Sequence, residues 1–328
     1  NMQRGTSNQT RGLAAAGSTP SYSDIVDYIT IATAGDAADF GDLTAAAIKV
    51  GGSGGSTRAL FAGGFTASDV YSDVIDYFTI GSVSETALDF GNLSAARWAM
   101  SSASSGTRAL FAGGLTPTVN VNIIEYITVA STGNATDFGD TSTLRKYPAG
   151  TSDGNRAVFM GGENPTAIVD TMDFITMTVS GNATDFGENT QARLAGAATS
   201  NGSRACYIAG ESPTKRDTID YITIGTIGDA TDFGEITVAR AGLTGLSDGS
   251  RGIVAGGSTG SVSDVIDYFN MASLGIAADY GNLATGTNGV AGSSNGSRGV
   301  VGMGATPTGG VSVDTVNYFP IGTLTATA

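Results

Sequence analysis

The tripeptide Asp-Phe-Gly could do chemistry, because its aspartate can hold a magnesium ion in a phosphoryl-transfer site. The motif begins at Asp39, Asp89, Asp137, Asp185 and Asp232, and an Asp-Tyr-Gly version begins at Asp279. A catalytic motif occurs once per active site, whereas these six copies recur at intervals of 47 to 50 residues. Recurrence at a fixed period is typical of repeat architectures, so the motif predicts a structural unit and argues against a kinase.

Residues for other kinds of catalysis are either absent or belong to the structural repeat. The chain has no histidine, which removes Ser-His-Asp and Cys-His catalysis and the imidazole ligands of a copper site. The single cysteine, Cys206, occupies a repeat position that is Leu, Val or Ile elsewhere, so we expect it in the core. The aspartates recur with the repeat, and no pair stands out as a glycosidase site. The sequence contains no Asp-x-Asp-x-Asp-Gly loop, which is the pattern that would suggest bound calcium. The sequence predicts no enzyme activity, no cofactor and no metal site.

Composition limits the partners. The 328 residues include 30 acidic and 16 basic side chains, for a net charge of −14, which repels nucleic acids and anionic lipid headgroups. No apolar run approaches the length of a membrane span, and no basic-then-apolar leader is visible, so membrane insertion is not expected. The 49 glycines and the low charged fraction of 14% favour many short strands joined by tight turns.

An arginine that opens an apolar run ending in glycine, as in "RALFAGG", is the clearest repeat signal. These anchor arginines are Arg11, Arg58, Arg108, Arg156, Arg204, Arg251 and Arg298. A small-residue run ending in a turn dipeptide precedes each of them, and an aromatic run such as "DVIDYFTI" and then Asp-Phe-Gly follow. Each unit predicts four antiparallel strands, which is one propeller blade. The predicted fold is an all-β, seven-bladed β-propeller forming a single domain over residues 1–328. Its inner strands are expected at 1–8, 47–53, 97–103, 145–151, 193–199, 240–246 and 287–293.

The order of these runs resembles the kelch repeat over essentially the whole chain. Two features depart from it. The kelch tryptophan is absent, and the arginine eleven residues before the anchor is present only at Arg97, Arg145, Arg193 and Arg240. The resemblance implies the fold, while the function of kelch adaptors cannot be carried over.

Phrases such as "IDYITI" and "NATDFGD", with dense Ala, Gly and Thr, are similar to repeat-containing virion and tail proteins of marine tailed bacteriophages. That resemblance implies a non-enzymatic structural or receptor-contacting module of a virion, in a tail or fibre appendage. Its partners would be other virion proteins or a host-surface glycan or protein. The alternative is a secreted or surface propeller, hence extracellular, that binds carbohydrate or, as a lesser alternative, degrades it. Oligomerisation within an assembly stays open.

The fixed part of the repeat suggests an interblade contact. Each Asp-Phe-Gly aspartate lies 19 residues before the next anchor arginine, which predicts that guanidinium and carboxylate meet near the seam between consecutive blades. The expected acidic partners are Asp39, Asp89, Asp137, Asp185 and Asp232, and the arginines are Arg58, Arg108, Arg156, Arg204 and Arg251. A backbone carbonyl is the alternative partner.

Length varies only between the second and third strands. These loops, at 18–24, 65–73, 115–122, 163–170, 211–217, 258–264 and 305–313, share one face of the disc and differ in composition. They predict a partner-contact face that includes Tyr22, Tyr71, Asn164, Lys215 and Arg216; drift in unconstrained loops is the alternative. The N-terminal segment is expected to supply the inner strand of blade one, and "GTLTATA" the outer strand of blade seven.

Overall fold

Four antiparallel strands form each of the first six repeats, three strands of the seventh are described, and the seven repeats surround a central axis as a β-propeller. This is a computed structural model, and it describes residues 4–19, 21–66, 70–82, 86–302, 304–306 and 315–322. The predicted all-β, seven-bladed fold is confirmed. In the part of the chain that is described, no helix is long and apolar enough to cross a membrane.

The inner strands consist of Gly, Ala, Ser and Thr almost throughout, because seven of them crowd around the axis. They are Arg4–Ser7, Gly51–Gly54, Ser101–Ser104, Ala149–Ser152, Ala197–Ser200, Thr244–Ser247 and Ala291–Ser294. Each pairs with a second strand whose apolar residues are buried behind the opening arginine. The second strands are Arg11–Ala15, Arg58–Ala62, Arg108–Ala112, Arg156–Met160, Arg204–Glu211, Arg251–Ala255 and Arg298–Gly302.

The third strands carry the aromatic runs, and the outer strands carry Asp-Phe-Gly. Third strands are Ser21–Thr30, Val74–Thr79, Ile123–Thr128, Thr171–Thr176, Lys215–Thr223, Val265–Asn270 and Val316–Pro320. Outer strands are Ala38–Ile48, Leu88–Asn92, Thr136–Asp140, Thr184–Glu188, Thr231–Glu235 and Ala278–Asn282. Three two-residue strands, Ser18–Thr19, Phe65–Thr66 and Val70–Tyr71, lie in loops. The segment predicted as the outer strand of blade seven lies almost entirely outside the described residues.

The expected positions of six inner strands were wrong by about four residues. The strands begin at Gly51, Ser101, Ala149, Ala197, Thr244 and Ala291, after the predicted starts. The residues in between form the link from one blade to the next. Side chains such as Arg97 therefore belong to this link, where they are buried. The inner strand of blade one, Arg4–Ser7, pairs with Arg11–Ala15 as expected.

The strand directions divide the disc into two faces. The loops between second and third strands and the links between blades emerge on one side, which we call the loop face. The tight turns joining the inner to the second strand and the third to the outer strand emerge on the other, the turn face. The core lies between blades, where rings of the third and outer strands pack edge to face, as Tyr126 and Phe138 do at 5.9 Å.

Candidate functional site

The Asp-Phe-Gly element forms part of the seam, the contact between one blade and the next. Its aspartate is exposed and accepts a bond from the N–H of its own glycine, as between Asp137 Oδ1 and Gly139 N at 3.0 Å. Its aromatic ring is buried, with Phe138 only 2% exposed. The carbonyl of Phe138 accepts a bond from the N–H of Gly181, which lies in the turn of the next blade. The motif therefore connects consecutive blades.

The motif's glycine is required by the same contact. Gly139 has φ of 139°, which favours glycine, and a Cβ there would lie 2.4 Å from the backbone of Gly181. Gly91 and Gly234 meet the turn of the following blade equally closely. The outer strand therefore tolerates no side chain where the next turn crosses it.

The prediction that anchor arginines pair with Asp-Phe-Gly aspartates is wrong. No ion pair between these two sets occurs among the described residues. Instead, Arg58 Nη1 donates to the carbonyl of Val129 in the next blade at 2.9 Å, and its guanidinium lies 4.5 Å from the centre of the Tyr77 ring. The same contact joins five other pairs: Arg11 and Ile80, Arg108 and Met177, Arg156 and Ile224, Arg204 and Met271, and Arg251 and Ile321.

The anchor arginines bond a carbonyl rather than an Asp-Phe-Gly aspartate for a geometric reason. Asp39, Asp89, Asp137, Asp185 and Asp232 point to solvent from the outer strand. The arginine lies on the second strand and extends along the aromatic face of the third strand, so it reaches the seam where the neighbouring third strand ends. The arginine does bridge consecutive blades, as the spacing predicted, but through a carbonyl.

The buried ion pairs of the molecule involve a different set of arginines, which lie in the links. The pairs are Arg97 with Glu125, Arg145 with Asp173, Arg193 with Asp220, and Arg240 with Asp267, at 2.5 to 2.9 Å. Both side chains of each pair are at most 1% exposed. Burial lowers the pKa of Arg145, and the carboxylate of Asp173 partly opposes that shift.

Each acid also bonds the segment leading from the previous blade. Thr190, just after the outer strand of blade four, donates its N–H and hydroxyl to Asp220 of blade five at 3.1 and 2.6 Å. Ser94 donates its N–H to Glu125 in the same way. The arginine, the acid and the Ser or Thr residue together hold the link against the third strand of the blade that the link enters.

Sequence reasoning recorded the four arginines but missed their partners. A signal was present, because the acid follows the arginine by 27 or 28 residues in each of these repeats, while blade seven has Thr287 and Asn317 at the two positions. Blade two breaks the pairing: Ala47 replaces the arginine, but the buried acid Asp76 remains, bonded by Thr44. Desolvation raises the pKa of Asp76, and the Thr44 bonds partly oppose this.

The loop face surrounds the mouth of the central channel, a cavity of about 290 Å³. Its wall consists of Gly, Ala and Ser of the inner strands with a few larger side chains, among them Tyr147 and Met100. No residue of that described wall carries a charged side chain. The cavity offers peptide groups and hydroxyls to a ligand but no acid or base for catalysis.

The predicted contact residues lie on or beside this face. Tyr71 packs on Phe65, and Tyr22 is half-buried in blade one. Asn164 accepts bonds from Thr166 and Ala167, so it shapes its own loop. Lys215 pairs with Glu211, and Arg216 Nη2 donates to Ser212 O at 2.6 Å, within the extended hairpin of blade five. Positions 20, 67–69 and 307–313 of the predicted loops lie outside the described residues.

Aromatic rings gather on one sector of the loop face, a group that sequence reasoning noticed only at Tyr71. Ring centres are 4.7 Å apart for Phe65 and Tyr71, 5.0 Å for Phe65 and Trp98, and 5.4 Å for Trp98 and Tyr147. The ammonium of Lys49 lies 4.1 Å from the Trp98 ring centre. We call these five residues the aromatic cluster. They come from the links and loop of blades two to four, so no single stretch of sequence reveals them.

No catalytic constellation is found among the described residues. Cys206 is fully buried in the core, and burial raises the pKa of its thiol to about 12, so it is not a nucleophile at neutral pH. No group of three or more His, Cys, Asp and Glu residues in the described ranges could hold a metal ion. Neither a protein-family model nor a curated protein matches the chain.

Proposed function

We propose that this propeller is a non-enzymatic contact module whose loop face binds a partner. One observation carries the proposal: the turn face repeats from blade to blade, whereas the loop face differs between blades. At the first position of the loop between the second and third strands, blades two to six have Phe65, Leu115, Glu163, Glu211 and Ser258, all of them half-exposed. Such differences have no role in packing that repeats around the ring, and they suit a partner that lacks the ring's symmetry.

The proposed setting is a phage virion, in a tail or fibre appendage, with kelch-like blades. The similarity of "IDYITI" and "NATDFGD" to phage repeat proteins supports it, as does a rigid disc with only three lysines, which suits exposure outside a cell. The partner would be another virion protein or a host-surface glycan or protein. The alternative setting is a secreted or surface carbohydrate-binding protein, which the aromatic cluster favours.

Mass spectrometry of purified particles distinguishes these settings. The virion proposal expects the chain among the particle proteins at a reproducible copy number. Its absence from particles, together with its presence in the medium of the producing cells, would contradict that setting and favour the secreted one.

Loop exchange tests the contact face itself. Replacing residues 65–73 and 305–313 with the "STGSVSD" sequence of 258–264 should reduce particle incorporation or host adsorption. Replacing the turn-face dipeptide Asn201-Gly202 with Asp-Gly, as at Asp248 and Gly249, is the matched control and should have no effect. Unchanged incorporation and adsorption in a folded loop variant would show that the loops have only drifted.

A further inference from the structure

We propose that the aromatic cluster of Lys49, Phe65, Tyr71, Trp98 and Tyr147, at the channel mouth, is a binding site for an uncharged saccharide. The inference deepens the proposed contact function and rests on it, since it names the ligand class and the sector of the loop face. The cluster spans blades two to four only. Phe65, Tyr71, Tyr147 and Lys49 are half-exposed, while Trp98 is 9% exposed at its centre.

The backbone conformation at Lys49 and Tyr147 indicates that these side chains serve ligand binding. The residue two positions before each inner strand is left-handed, with φ between 55° and 69° at Lys49, Ala99, Tyr147, Ala195, Gly242 and Gly289. Glycine adopts this conformation without strain, and blades six and seven use it. Bulky residues there cost about 1 kcal/mol or more, and such strain concentrates at ligand sites. Blades two and four nevertheless place Lys49 and Tyr147 at this position.

The chemistry of the cluster fits a sugar ring. Aromatic rings offer flat apolar surface to the C–H face of a hexose, while the Lys49 ammonium and the Tyr71 and Tyr147 hydroxyls lie at the edge for its hydroxyl groups. Tyr147 also lines the channel cavity, whose peptide groups and serines extend the polar surface inward. Apolar surface combined with a few polar groups is the usual composition of a small-ligand site.

Charge favours an uncharged saccharide over an anionic one. The chain carries a net charge of −14, which disfavours approach of a polyanion. The other lysines of the loop face are also neutralised, since Lys146 lies 3.3 Å from Glu163 and Lys215 pairs with Glu211. The cluster carries a single cation, Lys49, against this net negative charge, so a uronic acid or a phosphate gains little there.

Trp98 makes the test specific, because it is the only tryptophan in the chain and its emission reports this site alone. The purified chain is titrated with dextran, laminarin and mannan as uncharged probes, and with alginate and polygalacturonate as anionic probes. At least one uncharged probe should change the Trp98 emission, and neither anionic probe should. Calorimetry then measures the affinity of the responding probe for the variants.

Tyr147→Gly separates binding from folding. Glycine is favoured at this backbone position, so the melting temperature should stay within about 3 °C of the wild type. The ring is lost, however, and the affinity should fall ~10-fold or more. Tyr147→Phe keeps the ring and should retain most of the affinity. Asn201→Asp changes a turn-face residue to the aspartate that blade six has at the same position, Asp248, and should bind as the wild type does.

Three results would overturn the proposal: no response to any uncharged probe, an equal affinity in Tyr147→Gly, or a response to alginate or polygalacturonate. The last would indicate a different ligand class. Failure of these titrations leaves the virion setting intact. Absence of the chain from particles would remove that setting and leave saccharide binding untouched.

Discussion

Single residues contribute very unequally to the stability of this propeller, as the two sets of arginines show. Arg145 is fully buried against Asp173, whereas Arg156 is half-buried, bonds one carbonyl at 3.0 Å and stacks on Phe174. Arg145→Ala leaves a buried carboxylate without its cation and should lower the free energy of unfolding by about 3–5 kcal/mol. Arg156→Ala, the matched anchor variant, should lower it by about 1–2 kcal/mol. Equilibrium unfolding in guanidinium measures both; equal losses would contradict the ranking.

Asp76 is a buried acid whose raised pKa gives the molecule a pH dependence. Its pKa is raised by desolvation, so the folded chain holds a proton that the unfolded chain releases. Its contribution to stability is therefore greatest at low pH and is lost as the pH rises from about 4 through the raised pKa. Asp76→Asn should remove this decline and stabilise the chain at neutral pH relative to the wild type. Melting temperatures measured across this range check it, with Asp173→Asn as the contrasting variant, which should destabilise. If the melting temperatures of the wild type and of Asp76→Asn change in parallel with pH, Asp76 is not the source of the pH dependence.

At the scale of the strand, the outer strand is defined by its approach to the next blade. Gly139→Ala places a Cβ 2.4 Å from the turn at Gly181, and it should lower the free energy of unfolding by about 2–4 kcal/mol. Gly225→Ala is the control, since nothing lies within 4 Å of a Cβ there. Thermal unfolding of both variants is the measurement. A Gly139→Ala variant as stable as Gly225→Ala would show that the turn moves away at no cost.

The same strands show what sequence can predict. Blade number, strand order and the inward position of small residues follow from the repeat, because local patterns and turn dipeptides determine them. The partner of Arg58 does not follow, since a constant spacing of 19 residues says nothing about which way the Asp39 side chain points. The acids paired with the link arginines required the positions of two strands at once. The aromatic cluster was missed for a related reason: Phe65, Trp98 and Tyr147 meet only when three blades assemble.

At the scale of the whole ring, the seams are unequal. Seams from blade two to blade six combine the carbonyl contact, the motif turn and a buried ion pair. Among the described residues, the closing seam between blades seven and one has none of these. There Ala14, on the second strand of blade one, packs against Ala291, on the inner strand of blade seven.

Hydrogen exchange measures this difference in the intact chain. Amides of Arg298–Gly302 should exchange faster than those of the equivalent strand Arg156–Met160, because the ring opens locally where fewest contacts hold it. The two strands have the same length and the same pairing pattern, so they form an internal control. Uniform protection around the ring would mean that the closing seam is as strong as the others.

The claim that the loop face contacts the partner is tested most directly by chemical labelling. All three lysines, Lys49, Lys146 and Lys215, lie on that face, whereas the Asp-Phe-Gly aspartates are exposed toward the turn face. Lysine acetylation and carbodiimide labelling of carboxylates can be compared for the free chain and for the chain within its native assembly. We expect the three lysines to be protected in the assembly and Asp137, Asp185 and Asp232 to react as in the free chain. Lysines of unchanged reactivity beside protected aspartates would contradict the account, because the contact would then be made by the repeating face.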